Sequence, residues 1–273
     1  MLKNTLNHLS AFKNVTLLAN AIKETLQNSI KLYSLAFKHY KIAKFFQKTF
    51  HINIEKLKES YIYMGSNHLE FSPFSGILIK DSHRLFDIFP RILALDSNQQ
   101  SLNNLTLLLD SSFCPLTTQI FNYKKEELPT NYLFDSISLP LTLDKMATNL
   151  QELEFIILKL KEILNSGGMI FGFSAIKTNQ PLSIEATNYI KQHNLHGLNY
   201  SAQDLDNLLY KHFDHIGILN VGDLTLFRAS ISPAKKNADK QRPTLENTAG
   251  KKVIVPKDHK IQRFLDFRKP DLF

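Results

Sequence analysis

The stretch RILALDSN, residues 91–98, decides the fold together with two later stretches, FDSISLPLTL at 134–143 and LKEILNSGGMIFGFS at 160–174. The first is a short apolar run that stops at an acid, Asp96. Each apolar run is typical of a buried strand, and the segments between the runs have the periodicity of helices. Alternating strands and helices predict an α/β fold with a parallel, doubly wound, Rossmann-like sheet.

The remaining elements are predicted from the same patterns. The segment HIGILNVGDLTLFRAS, residues 215–230, predicts an antiparallel hairpin at the C-terminal side of the sheet, turning at Gly222 and Asp223. Two segments compete for the first strand, YIYMG at 61–65 and GILIKD at 76–81, and TTQIFNY at 117–123 is a further strand. Helices are predicted over 97–110, with Ser97 or Asn98 as N-cap, and over 149–164, 181–194 and 200–212.

The patterns divide the chain into three parts. Residues 1–60 are amphipathic and helical in pattern, residues 61–231 hold the α/β unit, and residues 232–273 are polar, charged and without periodicity. We therefore expect an N-terminal helical lid, an α/β domain, and a basic, largely disordered tail. Two alternatives to a lid stay open for residues 31–60, namely plain packing against the domain and a helix lying on a lipid surface.

The formal net charge of +8 is spread unevenly along the chain. Residues 1–60 hold 10 Lys/Arg and 3 Asp/Glu, residues 232–273 hold 11 and 5, and residues 61–231 hold 12 and 17. The two basic ends predict an anionic partner, with RNA, anionic lipid and an acidic carrier protein as candidates. Solvated lysine-rich helices without a partner are the alternative.

Several other classes of protein do not fit the sequence. The single cysteine, Cys114, excludes a disulfide framework and a thiolate zinc site within the chain. The histidines form no convincing zinc-binding set, and neither a P-loop nor a G-x-S-x-G nucleophile motif occurs. No apolar run approaches the roughly 18 residues of a membrane span. Residues 2–30 lack both an apolar core and arginine, so we expect no cleaved leader and a cytoplasmic protein, or a mitochondrial matrix protein in a eukaryote.

This order of elements, with LNSGGMIFGF at 164–173 and LTLFRA at 224–229, resembles the class I S-adenosylmethionine-dependent methyltransferases over residues 60–230. AFKHYKIAKFFQ at 36–47 and ILALDSNQQSL at 92–102 are similar to the methyltransferases that esterify malonyl-carrier protein and to related complex I assembly factors. The resemblance implies a methyltransferase-like domain at 61–231 with S-adenosylmethionine as its cofactor. It also implies a small molecule or an acidic carrier protein as the methyl acceptor.

The resemblance further implies which residues border the cofactor. Asp96, followed by Ser97, stands where the family's acid accepts hydrogen bonds from the two ribose hydroxyls. Asn122 and Tyr123 would border the adenine, and Lys124 takes the place of the Asp that many members carry there.

The fourth strand of the family ends where the methyl group is transferred. Ser138 and Leu139 would lie there, close to the sulfonium of the cofactor. No general base stands in this segment, so the resemblance assigns no catalytic residue and no metal ligand.

One part of the family pattern follows neither candidate for the first strand. In the family that strand ends in a loop of the form Asp/Glu-x-Gly-x-Gly-x-Gly, where the backbone approaches the cofactor closely. Two functions therefore stay open. One is an S-adenosylmethionine-dependent methyltransferase of unknown acceptor. The other is a cofactor-free, methyltransferase-like scaffold or assembly factor that binds an anionic partner through its basic ends.

Overall fold

The computed structural model of the protein describes residues 33–34, 36–80, 90–109, 114–123, 126–129, 131–176, 178, 181–197 and 199–233, together with Lys23 and Gln27, which are helical. The predicted tail at 234–273 and most of the amphipathic pattern at 2–30 lie outside the described residues. Within the described part of the chain, no helix is long and apolar enough to cross a membrane.

The residues that the structure describes form a seven-stranded sheet at the centre of the domain. Its order is β3-β2-β1-β4-β5-β7-β6, in which β1 to β5 are parallel and β7 runs antiparallel to both β5 and β6. The prediction of a doubly wound parallel sheet with an antiparallel C-terminal hairpin is confirmed. The strands are β1 (Asn67–Phe71), β2 (Arg91–Asp96), β3 (Leu116–Ile120), β4 (Phe134–Pro140), β5 (Leu164–Ser174), β6 (His215–Val221) and β7 (Leu224–Ser230).

The helices follow the predicted positions within a few residues, and their N-caps include the residue types that helix starts favour. Asn98 accepts from the backbone N–H groups of Gln100 and Ser101, and Ser201 and Asp204 form a capping box. The helices are α1 (36–49), α2 (Ile54–Glu59), α3 (Gln99–Leu108), α4 (Leu143–Met146), α5 (Leu150–Glu162), α6 (Ile184–Gln192) and α7 (Ala202–His212).

Both candidates for the first strand are wrong. Ser60–Tyr63 is a short 3-10 helix, and residues 77–80 form turns after a second 3-10 helix at Phe74–Gly76. The first strand is instead NHLEF, Asn67–Phe71, whose polar His68 and Glu70 are fully buried. Apolarity alone therefore favours the flanking runs, in which Tyr61 and residues 77–79 are buried but the backbone is helical or turned.

A glycine pair that follows a helical pattern favours a turn between the helix and the next strand, but the pair at 167–168 lies elsewhere. Helix α5 ends at Glu162, and both glycines lie within β5, where the pairing with β4 shifts register between Phe134 and Ser136. Gly167 has a φ of +79°, which suits a bulge of this kind. The pair thus marks an irregularity inside the strand and not the turn that enters it.

Helix α1 is fixed to the domain at its C-terminal end. The side chains of Phe46 and Phe50 are fully buried in the same core cluster as Phe173 of β5. The hairpin tip holds the chain that follows α1, because the Asp223 N–H donates to the Phe50 carbonyl at 2.9 Å and the Asp223 carboxylate lies 2.8 Å from His51 Nδ1. Packing against the domain is therefore confirmed for this helix, and its action as a lid stays a prediction.

Candidate functional site

A ladder of buried polar side chains joins β1 to β4. His68 pairs with Ser136 and Glu70 pairs with Ser138 in the parallel register, so four polar side chains lie next to one another on the same face of the sheet. All four side chains are 1% exposed or less. Burial of so many polar groups is tolerated only when each of them has a hydrogen-bond partner.

Glu70 is the centre of this ladder. Tyr61 Oη donates to Glu70 Oε1 at 2.7 Å, His68 Nε2 lies 2.9 Å from Glu70 Oε2, and the Ser138 hydroxyl donates to the same oxygen. On the far side of the imidazole, His68 Nδ1 lies 2.7 Å from Ser136 Oγ. These bonds hold the end of β1 in one position, and the loop that leaves β1 starts two residues later.

That loop, SPFSG at 72–76, has an alternating backbone. Ser72, Phe74 and Gly76 have φ values of +47°, +46° and +82°, which lie in the left-handed region that favours glycine. Glu70, Ser72, Phe74 and Gly76 therefore occupy the four fixed positions of an Asp/Glu-x-Gly-x-Gly-x-Gly loop. The spacing of that pattern and positive φ values at its three glycine positions are therefore present, but two of these three residues carry side chains.

Gly76 and Phe74 of the loop each pack against a neighbouring helix. A Cβ on Gly76 would lie 2.7 Å from Leu108 Cδ2 and 2.8 Å from Leu105 Cδ1, so a larger residue would force these two side chains of helix α3 to shift. The Phe74 ring packs edge-on against Phe46 of α1, with ring centroids 5.3 Å apart. Helix α1 therefore lies directly against this loop.

Asp96 ends β2 beside the loop, as predicted. Its carboxylate is 7% exposed, and Oδ1 accepts from the Asn98 N–H at 3.0 Å, which begins helix α3. The Ser72 N–H donates to the Leu95 carbonyl at 2.9 Å, so the start of the loop and the end of β2 are hydrogen-bonded neighbours. The acid and the loop thus share the carboxyl edge of the sheet, which is the edge where open α/β sheets bind ligands.

Two side chains meet over the loop at the Ser72 hydroxyl. Tyr123, which follows β3, places its hydroxyl 2.7 Å from Ser72 Oγ, and Lys145 of α4 donates from Nζ to the same oxygen at 2.9 Å. We call this three-residue contact the Ser72 link. Burial raises the pKa of the Tyr123 hydroxyl, with nearby Asp96 adding to the effect, so this hydroxyl stays protonated. Burial also lowers the pKa of Lys145, an effect that the charges of Asp96 and Asp144 oppose.

Asp144 is a second buried acid beside Lys145. Its carboxylate accepts from the Ala175 N–H at 2.9 Å, and the Tyr200 hydroxyl lies 3.5 Å away. Burial raises the pKa of Asp144 to about 6, although the bond from Ala175 acts in the opposite direction. This acid therefore ties the segment after β4 to the end of β5, and it titrates close to neutral pH.

The raised pKa predicts a pH-dependent stability that Asp144→Asn removes. Because the pKa is about 6 in the folded chain and 3.8 for an ordinary aspartate, the folded chain binds the proton more tightly than the unfolded chain does. The associated stability is present below pH 4 and is lost as the pH rises through 6, by about 3 kcal/mol. Urea unfolding midpoints from pH 4 to pH 7 measure it. The wild-type chain should lose stability relative to Asp144→Asn over this range, whereas the exposed control Glu59→Gln should follow the wild type; parallel curves for wild type and Asp144→Asn would contradict the assignment.

The structure brings some of the predicted site residues together and separates others. Asp96 and Tyr123 both lie at the edge beside Ser72, and Ser97 is exposed next to Asp96. Asn122 is exposed, and its N–H donates to Glu126 Oε1 at 3.0 Å in a turn after β3. Lys124 lies outside the described residues.

Ser138 and Leu139, which the resemblance places where the methyl group is transferred, are buried inside the domain. Ser138 donates to Glu70 inside the polar ladder, and Leu139 is part of the hydrophobic core.

Sequence reasoning missed Ser72 and Lys145. The six-residue spacing of Glu70 and Gly76 is the only trace of the loop in the sequence and does not locate it, and no sequence signal marks Lys145. Among the described residues, no group of three or more His, Cys, Asp or Glu is arranged to hold a metal ion.

Solved structures share the fold of this chain at low sequence identity. They include an O-methyltransferase family protein from Burkholderia thailandensis, with a TM-score of 0.51 and 11% identity over 67% of this chain and 56% of that one. Human N-acetylserotonin methyltransferase, solved in complex with S-adenosylmethionine, has a TM-score of 0.52 and 12% identity over 71% of this chain and 56% of that one. The chain has the fold of the class I methyltransferases.

A third similar structure is matched along nearly its whole length. It is a chain from the complex between the Haloferax volcanii Trm112 methyltransferase activator and a methyltransferase, with a TM-score of 0.51 and 12% identity over 73% of this chain and 97% of that one. The chain spans little more than half the length of the Burkholderia and human proteins. No protein-family model and no curated protein sequence matches it.

The methyltransferase fold implies S-adenosylmethionine, and two features of the site fit that group. The left-handed positions of the loop set up the backbone turn that the cofactor's amino-acid part requires, and Asp96 offers a carboxylate at the end of β2. The Ser72 link lies between these two features. The fit therefore requires that the Tyr123 and Lys145 side chains turn away from Ser72.

Proposed function

We propose that this chain is a methyltransferase that binds S-adenosylmethionine at the carboxyl edge of β1 and β2. The observation that carries the proposal is the backbone of the loop at 72–76. Residues with side chains adopt a left-handed conformation only at a cost of about 1–2 kcal/mol each, yet Ser72 and Phe74 both keep it next to Asp96. A loop that holds this conformation at such a cost supports a binding site at the same edge.

Each part of the site has a defined task in this proposal. Asp96 would accept hydrogen bonds from the two ribose hydroxyls, since a carboxylate offers acceptors for a vicinal diol. Tyr123 would lie beside the adenine, and the backbone of the loop would face the amino-acid part. When bound, the cofactor would supply a sulfonium methyl group for in-line attack by a nucleophilic atom of the acceptor, with S-adenosylhomocysteine as the leaving group. The protein mainly positions and desolvates the reactants in such a reaction.

Lys145 and Tyr123 would act as the side chains that exclude water from the edge. Both are largely buried, and both must leave the Ser72 hydroxyl when a ligand enters. The charge of Lys145 would then lie near the carboxylates of Asp96 and Asp144, which both act to raise its pKa against the larger, lowering effect of burial. A small-molecule acceptor, an acidic carrier protein and a cytoplasmic or mitochondrial location stay predictions.

A second candidate function is a cofactor-free scaffold with the same fold. The Ser72 link favours it, because this link fills the edge between Asp96 and the loop with the chain's own side chains. In this alternative the polar ladder and the loop are structural, and the chain acts by binding a partner.

Binding of S-adenosylhomocysteine to Asp96→Asn distinguishes the two functions. Asparagine keeps an acceptor for the Asn98 N–H but removes the charge and one diol acceptor, so we expect at least a tenfold loss of affinity in equilibrium dialysis. Asp206→Asn, on the remote helix α7, is the matched control and should bind as the wild type does. Equal affinity of Asp96→Asn and wild type would rule out the proposed ribose contact.

A further inference from the structure

The outer face of helix α1 carries exposed aromatic and basic side chains on one narrow stripe. Tyr33, in the helical residues just before α1, is 79% exposed, Phe37 is 57% exposed and Tyr40 is 59% exposed. With a rotation of about 100° per residue, these three rings and three exposed lysines fall within about 100° of arc. We define the outer face as Tyr33, Phe37, Tyr40, Lys41, Lys44 and Lys48.

The opposite side of α1 is occupied by the protein itself. Phe46 is fully buried against Phe74 and Phe173, and Lys38 Nζ donates to Asn104 Oδ1 of α3 at 3.0 Å. Burial of the inner side does not require any apolar residue on the outer one. A single exposed ring on a helix is common, but three exposed rings side by side on one stripe form a contiguous patch, and such patches mark interaction surfaces.

The charge of this segment selects the kind of partner. Residues 33–50 contain four lysines and neither aspartate nor glutamate. The Lys41 ammonium lies 4.5 Å from the centre of the Phe37 ring, and that of Lys44 lies 5.6 Å from the centre of the Tyr40 ring. Aromatic rings interleaved with lysines are what a helix presents to the headgroup region of an anionic membrane.

We propose that the outer face of α1 docks on an anionic membrane surface. The rings of Phe37 and Tyr40 enter the headgroup region, and Lys41 and Lys44 pair with lipid phosphates. A convex stripe on a single helix fits a flat surface, whereas proteins bind single-stranded nucleic acid in a positively charged groove. The inference does not depend on the proposed methyltransferase activity, because the outer face points away from the loop and from Asp96.

A tryptophan reporter tests the proposal, since the chain contains no tryptophan. Tyr40→Trp places the only indole on the outer face, and Tyr210→Trp places it on α7 at a residue that is 80% exposed. On addition of phosphatidylcholine vesicles with one third phosphatidylglycerol, we expect a blue shift and quenching by brominated lipid for the Tyr40→Trp variant only. No blue shift is expected with vesicles of phosphatidylcholine alone, or with the anionic vesicles at high salt, which screens the lysine charges.

Charge variants of the full chain measure the lysine contribution. Lys41→Gln with Lys44→Gln should weaken vesicle binding by roughly 30-fold, since each lysine near an anionic surface contributes roughly a fivefold factor. Lys80→Gln with Lys191→Gln, two exposed lysines elsewhere, is the matched control and should leave binding unchanged. Equal shifts of the indole at positions 40 and 210, or equal losses in the two double variants, would overturn the proposal. A shift of the Tyr40→Trp variant with single-stranded RNA but not with vesicles would replace the membrane with RNA as the partner.

Discussion

Ser72→Gly should increase the affinity of the chain for S-adenosylhomocysteine by about tenfold. The substitution removes the hydroxyl that holds Tyr123 at 2.7 Å and Lys145 at 2.9 Å, so both side chains lose their common partner over the loop. Glycine also adopts the φ of +47° without the strain that serine bears there. A gain of about 1.4 kcal/mol in binding free energy corresponds to the tenfold change, and titration calorimetry measures it.

A glycine substitution at a remote left-handed residue is the matched control. Asn194 has a φ of +50° and lies at the end of helix α6, so Asn194→Gly relieves backbone strain without touching the site. It should change stability but not ligand affinity. If Ser72→Gly binds no more tightly than the wild type, the Ser72 link does not obstruct the site. Tyr123→Phe, which removes only one of the two bonds, should give a smaller gain.

Glu70→Ala should lower the free energy of unfolding by about 4 kcal/mol, or roughly 10 °C in Tm. The carboxylate is fully buried, and its loss leaves Tyr61, His68 and Ser138 without their shared acceptor inside the core. Each buried polar group without a partner costs about 1–3 kcal/mol. Urea unfolding followed by circular dichroism gives the difference.

Two further variants serve as a control and as a milder test of the polar ladder. Glu55→Ala, at an exposed residue of α2, should change stability by less than about 0.5 kcal/mol. Tyr61→Phe removes only the bond to Glu70 Oε1 and should cost about 1–2 kcal/mol, so it reports on the ladder even when Glu70→Ala does not fold. A Glu70→Ala variant whose stability lies within about 1 kcal/mol of wild type would show that the ladder does not stabilise the sheet.

The fold could be predicted from the sequence where burial and periodicity agree. Residues 92–95 of RILALD are consecutive apolar residues, as expected for a strand that is buried on both faces of the sheet. The hairpin around Gly222 has a turn signal between its two strands. The first strand could not be found in this way. In NHLEF, His68 and Glu70 are polar but buried. Their hydrogen-bond partners lie outside the strand, in β4 and at Tyr61, so the strand itself shows no sign that these residues are buried.

The site was predictable only in part for the same reason. Asp96 ends an apolar run, and the sequence shows that directly. The Ser72 link joins residues 72, 123 and 145, which approach one another only once the sheet has brought β1, β3 and β4 to a common edge. The loop itself is hidden because serine and phenylalanine occupy backbone positions that normally reveal themselves as glycine.

Titration calorimetry of the wild-type chain with S-adenosylhomocysteine tests the proposed function most directly. The proposal predicts saturable binding with one ligand per chain at ligand concentrations below about 1 mM, and a marked loss of affinity in Asp96→Asn. No heat from the wild type and none from Ser72→Gly, in which the obstruction is removed, would contradict cofactor binding and leave the cofactor-free scaffold as the function of this fold.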